Sequence, residues 1–185
     1  MIPGEDACCI LLYGDIGEYS DVTAAAIVRE LMEAEASGKR IDVRINSNGG
    51  DVYTGIAIFN ALRGSKADIH IYVDGIAASM ASVIALCGKP VEMSKYARLM
   101  LHSVSGGCYG NKTELRRCLE EVEALENTLC EMYAPKLGTS VEDIRARYFD
   151  DADHWLKADE ALALGFIDGV YDADPVPEDS TPEQV

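Results

Sequence analysis

Basic residues are scarce in this 185-residue chain, with 16 Lys and Arg against 32 Asp and Glu for a formal charge of −16. That balance excludes the cationic footprint nucleic-acid phosphates require. It also speaks against attraction to an anionic membrane surface. No apolar run reaches the ~18 to 20 residues a membrane span needs. The start, Met1-Ile-Pro-Gly-Glu-Asp-Ala7, lacks the basic opening of a secretory signal. None of the six cysteines (Cys8, Cys9, Cys87, Cys108, Cys118, Cys130) stands in CxxC spacing, so no zinc site and no metal are expected. Their scatter reads as reduced, mostly buried thiols in a cytosolic protein. No cofactor motif and no internal repeat is visible. What is present is 48% hydrophobic residues, enough for the core of one domain.

The first half alternates between strand and helix patterns. Ala7 to Tyr13 reads as a buried strand, and Ser20 or Asp21 can cap a helix to about Ala36 that Gly38 ends. Ile41, Val43 and Ile45 alternate with Asp42 and Arg44 as a strand, which leads through Gly49-Gly50 into a helix from about Val52 to Arg63. Ile69, Ile71 and Val73 mark the next strand, followed by a helix from Ser79 to about Leu86, and Ala97 to Leu101 is one more strand. Repeated alternation implies right-handed crossovers and a mainly parallel sheet, an α/β fold. Reactive groups in such sheets gather at the carboxyl ends of the strands. Further on, Asn111 to about Tyr133 is a long charged helix carrying Leu115, Cys118, Leu119, Val122, Leu125, Leu129 and Met132 at helical spacing. Asp172 to Val185 holds three prolines, five acids and no base, the composition of a disordered tail after a domain spanning residues 1–171.

Three of these junctions carry residues suited to acyl transfer. Ser79 stands between a strand and an apolar helix, whose N-terminus offers free N–H groups to a developing oxyanion. By composition alone, Ser79 is more simply a small residue in a run of small residues, as is Ser82. His102 ends a strand; His70 and His154 are less suited as a base, lying on an alternating strand and in an acidic run. An imidazole can take a serine proton and return it to a leaving amine. Asp150, Asp151 and Asp153 compete as the carboxylate that would orient it. The Gly49-Gly50 pair either makes a tight turn or lets bare backbone approach a substrate carbonyl, or does both.

The segments Asn46-Ser-Asn-Gly-Gly50, Gly75-Ile-Ala-Ala-Ser-Met80, Leu99-Met-Leu-His102, Asp153-His-Trp-Leu-Lys-Ala-Asp-Glu-Ala161 and Leu164-Gly-Phe-Ile-Asp168 together resemble the proteolytic subunit family of the Clp protease. The likeness covers roughly residues 8 to 171 in family order. Asn48, Gly49-Gly-Asp-Val52 and Ala78-Ser-Met-Ala-Ser-Val-Ile-Ala85 look most like its phage and prophage branch, which includes head-maturation proteases. The resemblance implies a ClpP/crotonase-like spiral of β-β-α units with a projecting handle helix at 111–133. It implies a serine endopeptidase with Ser79 as nucleophile, His102 as base and Asp153 as third member, Asp151 being the next choice. Gly50 and Met80 carry over as oxyanion N–H donors, and Gly49, Gly106 and Gly107 as backbone that meets extended substrate. It also implies polypeptide substrates and a homo-oligomeric ring of six or seven subunits able to stack in pairs.

Relatives carry a longer N-terminal segment that forms axial loops and docks an ATP-driven unfoldase. With the first strand starting by Ala7, a self-contained, ATP-independent protease is expected, working in the cytoplasm or within a phage prohead on capsid or scaffold chains. The alternatives are ATP-dependent degradation with an unfoldase, a crotonase-like acyl-CoA enzyme using a glutamate base, and a degenerate structural ring subunit.

Overall fold

A computed structural model of the chain describes residues 2–3 and 7–171, so the acidic tail expected at 172–185 lies outside the described residues. The elements in order are β1 (Ile2–Pro3), β2 (Ala7–Tyr13), α1 (Ala24–Ala36), β3 (Arg40–Ser47), α2 (Val52–Gly64), β4 (Ile69–Ala78), α3 (Met80–Ala85) and β5 (Val91–Ser94). They continue with β6 (Arg98–Leu101), α4 (Lys112–Leu137), α5 (Val141–Tyr148), β7 (His154–Lys157), α6 (Ala158–Ala163) and β8 (Gly169–Tyr171).

Strands β2, β3, β4, β5 and β8 pair in parallel, with β1 antiparallel at the edge. The strands alternate because one face is covered and the other is not. Ile41, Val43 and Ile45 of β3 are fully buried, with Ile27 and Leu31 of α1 and Ile58, Phe59 and Leu62 of α2 in the same core. The opposite face carries Arg44, whose guanidinium forks the Asp74 carboxylate, while Tyr13 donates to the same group at 2.6 Å. The rings of Tyr72 and Tyr171 flank that guanidinium at 5.5 and 5.9 Å.

The N-cap of α1 departs from expectation. Thr23 accepts from the Ala26 N–H at 3.1 Å, so the helix starts after it rather than at Ser20 or Asp21. Asp21 is occupied elsewhere, accepting from the Asp15 N–H at 3.2 Å to close the preceding turn. Gly38 stands just past the helix end at φ 68, as the sequence suggests. The handle α4 runs beyond Tyr133 to Leu137, and Gly138 closes it in the left-handed conformation. Its capping box pairs the Asn111 side chain with the first-turn N–H groups and Glu114 with the Asn111 N–H. Only its C-terminal part joins the core, through Leu129, Cys130, Tyr133 and Ala134. Leu115 and Leu119 near its start are 48% and 58% exposed. The helix therefore projects from the domain.

One irregularity positions the site. The β3–β4 register slips between Ile45↔Val73 and Ser47↔Ala77, and past this bulge β4 leaves β5 and pairs β6 instead. A bulge bends its strand and re-aims the residues beyond it. In this chain the re-aimed strand end delivers Ser79.

Candidate active site

Three strand ends converge. In the parallel β4–β6 pair Ala78 faces Met100, and the Ser79 N–H continues the ladder to Met100 O at 2.9 Å. Ser79 and His102 thus leave neighbouring strands side by side. In the antiparallel β6–β7 pair Leu101 faces His154, which sets Asp153 opposite His102. The pairing registers therefore gather residues that lie 74 positions apart, from 79 to 153.

His102 Nε2 stands 2.7 Å from Ser79 Oγ, and His102 Nδ1 stands 3.6 Å from Asp153 Oδ1. With the proton on Nδ1, Nε2 is free to accept the serine O–H. The Asp153 side chain is 59% exposed, so this carboxylate remains well solvated. Of the competing acids, Asp150 has its carboxylate engaged elsewhere and Asp151 is tied down through its backbone. Asp150 bonds His154 Nε2 at 2.6 Å, and that bond, helped by the Ala152 N–H, holds its carboxyl below the usual carboxylate range. Asp151 sits at φ 67 and donates its N–H to Ser103 Oγ at 3.0 Å. That bond ties the Asp153 loop to the residue after His102.

Ser79 has φ 52 and ψ −125, a region that residues other than glycine rarely occupy. Met80 opens α3, so its N–H lacks an intrahelical partner. The Gly49-Gly50 turn lies against it. A Cβ on Gly49 would come within 2.9 Å of both Met80 N and Ser79 Cβ, and one on Gly50 would run into the Ile16 carbonyl. Both glycines have positive φ, 97 and 146. The turn is fixed by bonds from Ile16 N–H to Gly49 O (2.9 Å) and from Asp51 N–H to Ile16 O (2.8 Å), which skip the Gly50 N–H. Neither the Gly50 N–H nor the Met80 N–H is used by these bonds.

These residues border a cavity of ≈ 160 Å³ whose walls include Val52, Val83, Leu129, Tyr133 and Phe149. Its apolar lining suits a substrate side chain. None of these five stood out as a site residue in the sequence, since they come from four separate stretches and look like ordinary core. The segment past His102 belongs to no strand of the chain. Val104 and Ser105 line the cavity; Gly106 and Gly107 come after them but do not line it. The Val104 N–H is held by Glu126 Oε1 of α4 at 3.0 Å, and Arg145 of α5 stands 3.7 Å from the other Glu126 oxygen. Glu126 was missed as well; nothing in its local pattern separates it from the other acids of the helix.

Among the described residues no cluster of His, Cys, Asp or Glu could hold a metal ion, and no helix is long and apolar enough to cross a membrane.

A family model described as Clp protease matches residues 7–174. The chain is 32% identical over 157 residues to an ATP-dependent Clp protease proteolytic subunit of Bacteroides fragilis, covering 83% of this chain and 75% of that protein. It is 35% identical over 158 residues to an ATP-dependent Clp protease proteolytic subunit 1 of Prochlorococcus marinus subsp. pastoris, covering 83% and 80%. A solved mutant of ClpP1 from Listeria monocytogenes shares the fold, with a TM-score of 0.78 at 24% identity over 89% of this chain and 91% of that one. Matches spanning nearly all the described residues, on an α/β fold with a projecting helix, lead to one assignment: the chain belongs to the Clp protease family.

Proposed function

We propose that this protein is a serine endopeptidase in which Ser79, His102 and Asp153 act as a triad. Ser79 Oγ attacks the scissile carbonyl carbon while His102 Nε2 takes its proton. Negative charge that moves onto the carbonyl oxygen meets the N–H groups of Gly50 and Met80. Collapse of the tetrahedral species breaks the C–N bond, and His102 returns the proton to the leaving amine. A water molecule then repeats the sequence on the acyl-enzyme. Asp153 keeps the imidazole proton on Nδ1 and stabilises the cation. Gly49, Gly106 and Gly107 are proposed as bare backbone along the path of an extended substrate.

The observation that carries this reading is the 2.7 Å approach of His102 Nε2 to Ser79 Oγ, with Gly50 and Met80 lining the same cavity. The crotonase-like alternative loses support here, because no glutamate lines the cavity next to Ser79. Treatment with a fluorophosphonate tests the reading. The wild type should gain one adduct, mapped to Ser79, and Ser79→Ala should gain none; absence of an adduct on the wild type refutes it.

The subunit is proposed to work in a homo-oligomeric ring of six or seven copies, stacked in pairs through α4. The exposure of Leu115 and Leu119 on that helix supports this. We further propose that flexible polypeptides, capsid or scaffold chains of a phage prohead among them, are cleaved without ATP. The Ser79–His102 pair forms within one chain, and peptide hydrolysis itself uses no nucleotide. The relatives, named as ATP-dependent, favour a second reading, in which an ATP-driven partner feeds the ring. Cleavage of casein by the purified protein alone supports the first reading, and silence until an unfoldase and ATP are added establishes the second.

A further inference from the structure

Ser82 looks like one more small residue in the packing run after the nucleophile. In the structure it is wholly buried and fully engaged. Its Oγ lies 2.6 Å from the Ser79 carbonyl oxygen and 2.6 Å from the hydroxyl of Tyr133, which reaches in from α4 and is itself 2% exposed. The direction of these bonds comes from valence. The Ser79 carbonyl can only accept, so the single Ser82 proton points to it. The Tyr133 hydroxyl must then be the donor to Ser82 Oγ. Burial pushes the Tyr133 phenol further up from its ordinary value, which keeps that proton in place. Tyr133 O–H, Ser82 O–H and the Ser79 carbonyl thus form a polarised chain that ends on the backbone of the residue with φ 52.

A left-handed non-glycine conformation persists only where its surroundings over-determine it. At Ser79 the N–H is fixed by Met100 O, and the carbonyl receives the Ser82 N–H at 3.0 Å in addition to the hydroxyl. The Tyr133 ring also lines the cavity beside Ser79 and packs edge-on against Phe149 at 6.1 Å. One side chain on the handle therefore touches both the relay to the nucleophile's backbone and the space a substrate side chain would enter.

We propose that Ser82 and Tyr133 are positioning residues, a buried hydroxyl relay from the handle helix that holds Ser79 in its reactive conformation. This rests on the reading of Ser79 as the nucleophile. The relay acts on geometry before substrate binds, so its loss lowers kcat and leaves KM largely unchanged.

The test uses Ser82→Ala, Tyr133→Phe and the double variant in the full chain. Ser82→Ala strands the Tyr133 hydroxyl without a partner in the core and should lower Tm most. The double variant removes both polar groups together, a change that is nearly neutral for stability. Its Tm should climb back above that of Ser82→Ala, while kcat on a short chromogenic peptide stays at least tenfold below wild type and KM stays within twofold. Recovery of kcat in the double variant, or a change confined to KM, overturns the proposal. Fluorophosphonate labelling distinguishes the two possible failures. If the wild type does not label at Ser79, the nucleophile reading fails. If the wild type labels and the double variant labels as fast, only the relay fails.

Discussion

Replacing Asp153 by Asn isolates the weakest contact of the proposed triad and has a magnitude that can be worked out. The His102–Asp153 separation is 3.6 Å. Two unit charges at that distance attract by about 1.2 kcal/mol at the dielectric of water and about 4.6 kcal/mol at an effective value near 20. In rate these limits are about 7-fold and about 2,000-fold, the imidazolium being the species the carboxylate stabilises. Because the Asp153 side chain is 59% exposed, solvent screening pulls the value toward the lower limit. We expect Asp153→Asn to lower kcat by about 10- to 100-fold, well short of the ~10⁴ that a buried triad aspartate is worth. The assay is steady-state hydrolysis of a chromogenic peptide at fixed pH, run at two salt concentrations. The gap between wild type and variant should narrow at high salt. Asp150→Asn and Asp151→Asn should each stay within about twofold. Equal losses at Asp151 and Asp153, or no loss at Asp153, would refute the assignment built on the β6–β7 register.

Ser79→Ala and His102→Ala should each abolish hydrolysis, and the double variant should be scarcely worse than either, since the two groups act as a unit; activity of Ser79→Ala within tenfold of wild type would defeat the mechanism. Glu126→Ala frees the Val104 N–H and should lower kcat/KM for extended peptides at least tenfold while a single-residue ester stays within threefold. Glu126→Gln, which keeps an acceptor, should behave as wild type, and equal loss on both substrates would show that the contact steadies the triad instead. Burial pushes the Cys87 and Cys130 thiols up to about 11, so at pH 8 they are almost wholly protonated. Iodoacetamide should then modify exposed Cys108 first and reach Cys87 and Cys130 only in denaturant; native-state labelling of Cys130 at a comparable rate would contradict the packing of α4. Leu119→Glu places a charge on the exposed stripe of the handle and should halve the mass seen by light scattering, from a stacked pair of rings to one; a wild type found only as a 20 kDa monomer at micromolar concentration would remove the ring assignment.

Much of this molecule was legible in its sequence because the informative signals are local. Period-two alternation in Ile41–Ile45 and Ile69–Val73 reports a strand with one covered face. Gly38 marks a helix end through the left-handed backbone it permits, whereas Ser79 and His102 stood out through the family resemblance of their motifs rather than through composition. Caps were less secure, since Ser20, Asp21 and Thr23 are all competent, and the turn that consumes Asp21 leaves the role to Thr23. The sequence determined the α/β class and the motif positions, and its family resemblance singled out Ser79 and His102 as the proposed reactive pair. Only the tertiary structure decided which aspartate faces His102, which side chains wall the cavity, and that Tyr133 meets Ser82 across 51 positions. The reason is physical. Alternation and capping depend on neighbours along the chain, whereas strand register and burial depend on which surfaces pack together, and a slip of one residue turns every side chain to the other face.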